Sequence, residues 1–221
     1  MAVSHSSNYT IAVSSVSGGG KTTLVKRAAD LLRGTTLFFD DYASVSEYPQ
    51  DIKKWVEDGA DVNEWKTPKF AQDLAALRRG DRVVSPVDGA SVVPSEFIVI
   101  EEPMGRERTE MADLIDFVVV IDTPLEIALA RRLLRDLGSI SFENFEKATK
   151  EQLAEGAVKT VTYLTDYLNG YLDAGRRLYM AVQELAKENC DLVLDGSLCV
   201  DELAQQLVTA VEDKPRTKST M

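Results

Sequence analysis

An apolar run, Tyr9-Thr10-Ile11-Ala12-Val13, leads without a break into Ser14-Ser15-Val16-Ser17-Gly18-Gly19-Gly20-Lys21-Thr22-Thr23. No other stretch restricts the fold as much. It prescribes a buried strand, a glycine-rich turn and a helix that opens on Lys-Thr-Thr. The glycines let the backbone curl until several N–H groups converge on one point, and the helix N-terminus adds its positive dipole end. That construction is a phosphate-binding P-loop, and it predicts a bound nucleoside triphosphate. Its candidate contacts are Ser17, Gly18, Gly19, Gly20, Lys21, Thr22 and Thr23. Lys21 supplies a mobile charge for the outer phosphates, and the Thr22 hydroxyl is a candidate ligand for Mg²⁺. The usual pattern opens on a glycine, and here Ser15 holds that place.

Strand-like and helix-like segments alternate along the rest of the chain. Strands are predicted at about 9–15, 35–40, 96–101, 116–122 and 191–195. Phe97-Ile98-Val99-Ile100 and Phe117-Val118-Val119-Val120-Ile121 are unbroken apolar runs, as expected of strands covered on both faces in a parallel sheet. Helix punctuation is also legible. Lys21 to Arg33 stops at Gly34, read as the left-handed residue after the helix. Thr67-Pro68 opens a helix that ends at Gly80, and Thr123-Pro124-Leu125-Glu126 reads as a capping box for a helix to about Asp136. From about Phe142 to Lys187 the pattern is helical, with Gly156, Gly170 and Gly175 as breaks or kinks, and Asp201 is read as the cap of a last helix ending near Glu212. The prediction is an α/β chain: a three-layer α/β/α P-loop NTPase fold over 9–212, with a mostly parallel five-stranded sheet. A helical lid is expected around 131–142, and flexible ends at 1–8 and 213–221.

Composition narrows the class. A chain of 221 residues, 44% hydrophobic, can bury one sizeable core. A net charge of −11 argues against a nucleic-acid partner, so phosphates must be met by a local basic pocket. The opening residues do not read as a signal peptide, and no apolar run approaches the roughly 18 residues of a membrane-spanning helix. The expected location is the cytoplasm, with no membrane partner. Cys190 and Cys199 are read as reduced thiols, and the lone histidine, His5, rules out a histidine-based catalytic centre.

Three further constellations carry chemistry. Phe38-Phe39-Asp40-Asp41-Tyr42 places two carboxylates where the second strand should end, the end at which ligands gather in open α/β sheets. Either Asp40 or Asp41 suits a base that takes the proton of an attacking hydroxyl, and position does not choose between them. Glu101, ending the central apolar strand, is the candidate second Mg²⁺ ligand, with Asp122 as its rival. Arg131 and Arg135 lie one helical turn apart with Arg132 beside them, three guanidiniums suited to phosphate. The aromatics Tyr42, Tyr48, Trp55, Trp65 and Phe70 are read mainly as core.

Together these residues resemble the uridine kinase, phosphoribulokinase and nicotinamide riboside kinase group of P-loop small-molecule kinases, from about Ile11 to Val211. The loop Ser17–Thr23, the strand end Phe39–Tyr42, the stretch Asn63–Gly80, the loop Ser85-Pro86-Val87-Asp88, the strand Ile98–Glu101 and the lid motif Ala130–Asp136 all have counterparts there. The resemblance implies transfer of the ATP γ-phosphate to a hydroxyl of a small metabolite, with a nucleoside or riboside as the acceptor class. Lys21 and the loop would hold phosphates, Thr22 and Glu101 would organise Mg²⁺, and Asp40 or Asp41 would act as base. Arg131 and Arg135 would close over the transferring group, with Arg132 on the nucleotide. The chain departs from the family pattern at Glu102-Pro103, where a glycine is usual, at Lys66 in place of a histidine, at Val87 in place of a tyrosine, and after Asp136. Two alternatives stay open: a nucleoside-monophosphate or other metabolite kinase using Arg78, Arg79 or Arg106 on an acceptor phosphate, and a non-catalytic nucleotide-binding regulator. Open too is whether the long helical region packs on the core or forms a homodimer interface.

Overall fold

The computed structural model describes residues 8–138 and 148–214. The chain runs β1 (Tyr9–Ser14), α1 (Lys21–Leu32), β2 (Thr35–Leu37), α2 (Ile52–Glu57), α3 (Pro68–Arg78), β3 (Val83–Val84), β4 (Ser91–Val92), β5 (Phe97–Glu101), α4 (Thr109–Ala112), β6 (Phe117–Asp122), α5 (Leu125–Gly138), α6 (Lys150–Gly170), α7 (Arg176–Glu188), β7 (Leu192–Asp195) and α8 (Val200–Asp213). Short 3-10 turns occupy Phe39–Val45 and Val62–Glu64.

Strands β2, β5, β1, β6 and β7 lie in that order in one sheet, every pair parallel. Successive side chains of a strand face opposite sides, so a central strand meets two cores. Ile11 and Val13 of β1 enter one core, with Val99, Val119, Ile121 and the buried faces of α1 and α8. Ala12 enters the other, with Ile98, Ile100, Val118, Val120 and the Phe70, Leu74 and Leu77 face of α3. Both faces are covered, so β5 is buried at every position, which is why its sequence does not alternate. This is the three-layer α/β/α arrangement the runs predicted. The antiparallel pair β3–β4 stands outside the sheet and was not predicted.

Several helix ends differ from expectation. Arg33, with φ of 52°, takes the left-handed place assigned to Gly34, and the Gly34 N–H reaches back to the Ala29 carbonyl at 2.8 Å. Gly34 eases another contact: a Cβ there would lie a tight 3.0 Å from the Phe97 carbonyl oxygen of β5. No capping box forms at Thr123, whose hydroxyl donates instead to the Gly19 carbonyl at 2.9 Å. Cys199, not Asp201, is the N-cap of α8; Glu202 accepts from the Cys199 N–H at 3.3 Å, and Asp201 pairs with Arg27 at 2.7 Å. Gly156 interrupts nothing, whereas Gly170 and Gly175 bracket a π-helical segment, Tyr171–Gly175, between α6 and α7.

The predicted lid maps onto the end of α5 as far as Gly138, and its remainder lies outside the described residues. So do His5 and most of both predicted flexible ends. The described part of the tail is anchored: α8 runs through Asp213, and Lys214 pairs with Asp191 at 2.6 Å. Among the described residues no helix is long and apolar enough to cross a membrane, and both cysteines are free thiols.

Candidate active site

The carboxyl ends of β1, β5 and β6 lie together, because the parallel registers align Val13 with both Glu101 and Val119. The loop after β1 is tied to its two neighbours from below. The Ser14 hydroxyl donates to the Glu102 carbonyl at 2.6 Å, and the Ser15 hydroxyl to the Ile121 carbonyl at 2.8 Å. Ser15 therefore has a use where the usual pattern has glycine, and it sets a condition on the loop. A Cβ at residue 19 would fall 1.9 Å from Ser15 Oγ, so only glycine fits there. Gly18 is constrained twice: its φ is +82°, and a Cβ would meet the Ala128 carbonyl of α5 at 2.1 Å. Helix α1 starts directly from this loop at Lys21, aiming its N-terminal amides into the space above the sheet.

That space is a cavity of about 560 Å³. The loop from Ser17 to Thr23 forms its floor, and Asp40, Glu101, Arg131 and Arg135 reach it from the 3-10 turn after β2, the end of β5 and helix α5. Thr22 donates its hydroxyl to Glu101 Oε2 at 2.9 Å, while Lys21 Nζ lies 3.6 Å from Glu101 Oε1 and 3.2 Å from the Val16 carbonyl. Glu101 is 4% exposed. Burial acts against both charges, drawing the Lys21 ammonium below its ordinary range and the Glu101 carboxyl above it, against the attraction each has for the other.

The two aspartates separate. Asp40 lines the cavity, whereas Asp41 is not among its lining residues. Partial burial raises the Asp41 pKa, with Asp40 and Asp88 adding to the rise and Lys26 opposing it. The arginines separate as well. Arg131 and Arg135 line the cavity; Arg131 also donates to the Gly196 carbonyl at 3.2 Å. Arg132 is a brace: it donates to the Ser17 hydroxyl, pairs with Asp136 at 3.0 Å and lies 5.5 Å over the Tyr167 ring of α6. Asp122, the rival to Glu101, instead accepts from Gln183 and Lys187 of α7.

The chain is similar to known proteins along most of its length. No family model matches the chain. The uridine kinase of Borrelia duttonii is 26% identical over 224 residues, 93% of this chain and 97% of that one. That of Borrelia garinii subsp. bavariensis is 26% identical over 83% of this chain and 84% of the other. The uridine kinase of Listeria monocytogenes serotype 4a is 30% identical over 149 residues, 58% of this chain and 67% of that protein. The chain belongs to the uridine kinase family. It is thereby a P-loop kinase of small molecules. Among solved structures, a shikimate kinase from Acinetobacter baumannii superposes over 95% of this chain and 96% of its own, with 16% identity and a TM-score of 0.48.

Relative to that family, two groups of residues escaped the sequence reading. Leu198, Cys199, Val200 and Leu203 add a largely apolar part to the cavity lining. Nothing local marks them; their one signal is position, after the last strand of the sheet. The other is Arg108, wholly buried and paired with Glu102. The arginines considered for an acceptor phosphate are all engaged elsewhere. Arg78 binds Asp116 and the Thr10 hydroxyl, Arg79 pairs with Asp81 at 3.3 Å, and Arg106 binds Asp191. Ser85–Asp88 turns the β3–β4 pair, with Asp88 accepting from the Ala90 N–H at 3.1 Å. Tyr42, Trp55 and Phe70 are core, as expected.

Proposed function

We propose that this chain transfers the γ-phosphate of ATP to a hydroxyl of a small, unphosphorylated metabolite, with a nucleoside such as uridine the first acceptor to test. The observation that carries the reading is the convergence of Lys21, the Thr22–Glu101 pair, Asp40, Arg131 and Arg135 on one cavity floored by the P-loop. Phosphoryl transfer asks a protein mainly for positioning and for positive charge where charge develops. Lys21 and the loop amides hold the phosphates, and a polyphosphate beside Lys21 favours the charge that burial opposes. Thr22 and Glu101 offer a hydroxyl and a carboxylate, the oxygen donors suited to Mg²⁺. These two residues would hold the ion, which would supply positive charge to the phosphate oxygens. Asp40 accepts the proton of the acceptor hydroxyl, and Arg131 and Arg135 bring charge to the transferring group. The names of the relatives support a nucleoside acceptor; Lys66 and Val87, where the family pattern has histidine and tyrosine, leave the ring it recognises to experiment.

Arg78, Arg79 and Arg106 do not line the cavity, which favours an unphosphorylated acceptor over a nucleoside monophosphate. The test is ADP release with ATP and Mg²⁺ across nucleosides, ribosides, sugars and nucleoside monophosphates, with Lys21→Ala as blank. Turnover that depends on a nucleoside is the expected result. Preference for monophosphates would overturn the acceptor class, and ATP binding without turnover on any acceptor would favour a regulator.

A further inference from the structure

Arg108 is 0% exposed and does not line the cavity, yet its guanidinium makes five hydrogen-bonding contacts. Nε and Nη2 donate to the two oxygens of Glu102, itself fully buried. Nη1 donates to the Trp65 carbonyl at 2.9 Å, the Thr67 hydroxyl at 2.7 Å and the Glu110 carboxylate at 2.7 Å. The same guanidinium lies 5.4 Å from the centre of the Phe39 ring.

These partners belong to separate segments, two of which, the end of β5 and the 3-10 turn after β2, send Glu101 and Asp40 into the cavity. Glu102 follows Glu101 at the end of β5, Phe39 precedes Asp40 in its 3-10 turn, and Trp65 and Thr67 lead into α3. Packing alone does not call for arginine here, since an apolar pair of similar volume avoids the cost of burying two charges. What arginine adds is direction: a rigid planar fork that fixes several acceptors relative to one another.

We propose that Arg108 is a positioning residue for phosphoryl transfer, holding the turn that carries Asp40 and the Trp65–Thr67 segment against the strand end that carries Glu101. It acts through these groups and touches neither substrate. The proposal rests on the kinase reading and on Asp40 as base. Small displacements of reacting groups are costly, about 10²-fold for ~1 Å. Loosening the fork is therefore expected to lower kcat while leaving the nucleotide floor intact.

The decisive variant is Glu102→Gln with Arg108→Met, because Arg108→Met alone strands a buried carboxylate. The expected result is a folded protein that binds an ATP analogue within about twofold of wild type, with kcat lower by about 10- to 100-fold. Where that pair does not fold, Thr67→Val removes the hydroxyl that accepts from Arg108 and donates to Glu110, and keeps the Arg108–Glu102 pair. The Thr67 side chain makes no cap hydrogen bond to α3, so the helix start survives. Its kcat is expected to fall at least about threefold, with ATP affinity unchanged. Wild-type kcat in the folded double variant, or in Thr67→Val if the double variant does not fold, would overturn the assignment of Arg108 and leave the kinase reading standing. A wild-type protein without acceptor-dependent turnover would overturn both.

Discussion

In the proposed reaction Lys21 and Asp40 carry different burdens, and their substitutions should fail differently. Lys21→Ala removes the charge nearest Glu101 and the loop carbonyl of Val16, and is expected to cost about 10³-fold or more in kcat, with ATP affinity weakened. Steady-state ADP release and analogue titration measure both effects. Asp40→Asn should lower kcat by about 10²- to 10⁴-fold and spare ATP binding, whereas Asp41→Asn, at a residue outside the cavity lining, should leave kcat within about threefold of wild type. Loss of turnover from Asp41→Asn alone would transfer the role of base to Asp41.

Helix α5 meets the P-loop and α6 at close range, and both contacts can be tested. Gly18→Ala places a Cβ 2.1 Å from the Ala128 carbonyl at a φ of +82°. The strain is of order 1–3 kcal/mol, and it should appear as a lower urea midpoint and weaker ATP binding. Between α5 and α6 the key group is Asp136. Its partial burial favours the neutral acid, but hydrogen bonds from Tyr163, Arg132 and Arg135 outweigh that and hold its pKa at about 2 against an ordinary value of 3.8. The folded-state pKa is the lower one, so this contribution to stability is present above the ordinary value and is lost as pH falls through about 2. The gap in urea midpoint between wild type and Asp136→Asn is expected to be widest above pH 4 and to close between about pH 4 and 2. A gap independent of pH across that window would refute the ion-pair account of this junction.

For the molecule as a whole, ligand and fold should be linked. A nucleotide that binds only the folded chain stabilises it by about 2.7 kcal/mol at a hundred times its Kd. In a chain of this size that corresponds to a rise in Tm of roughly 5–11 °C, expected with ATP and Mg²⁺ for wild type and largely absent in Lys21→Ala. The sheet core sets the scale of what holds that fold: Ile100→Ala, at a position with no exposure, should cost about 2–5 kcal/mol.

How much of this was legible depends on how local each cause is. The P-loop, the parallel sheet and the unbroken strands follow from neighbouring residues, since curling glycines and two-sided burial leave their mark within a few positions. Arg108 shows the opposite case. Besides Glu110, its acceptors stand 6, 41 and 43 residues away, in Glu102, Thr67 and Trp65, and no spacing rule joins them. Thr123 carried a capping signal that the Gly19 carbonyl captured, and Gly34 carried a helix-stop signal although what it eases is the close approach of β5. The sequence by itself determined a nucleotide-binding α/β/α fold, because its backbone signals are short-range. The tertiary structure alone decided that Asp40 rather than Asp41 faces the cavity, and that Arg131 and Arg135 line it while Arg132 braces the loop. Those choices depend on how segments far apart in the chain are brought together, and neighbouring side chains of the same chemistry differ only in the direction the fold gives them.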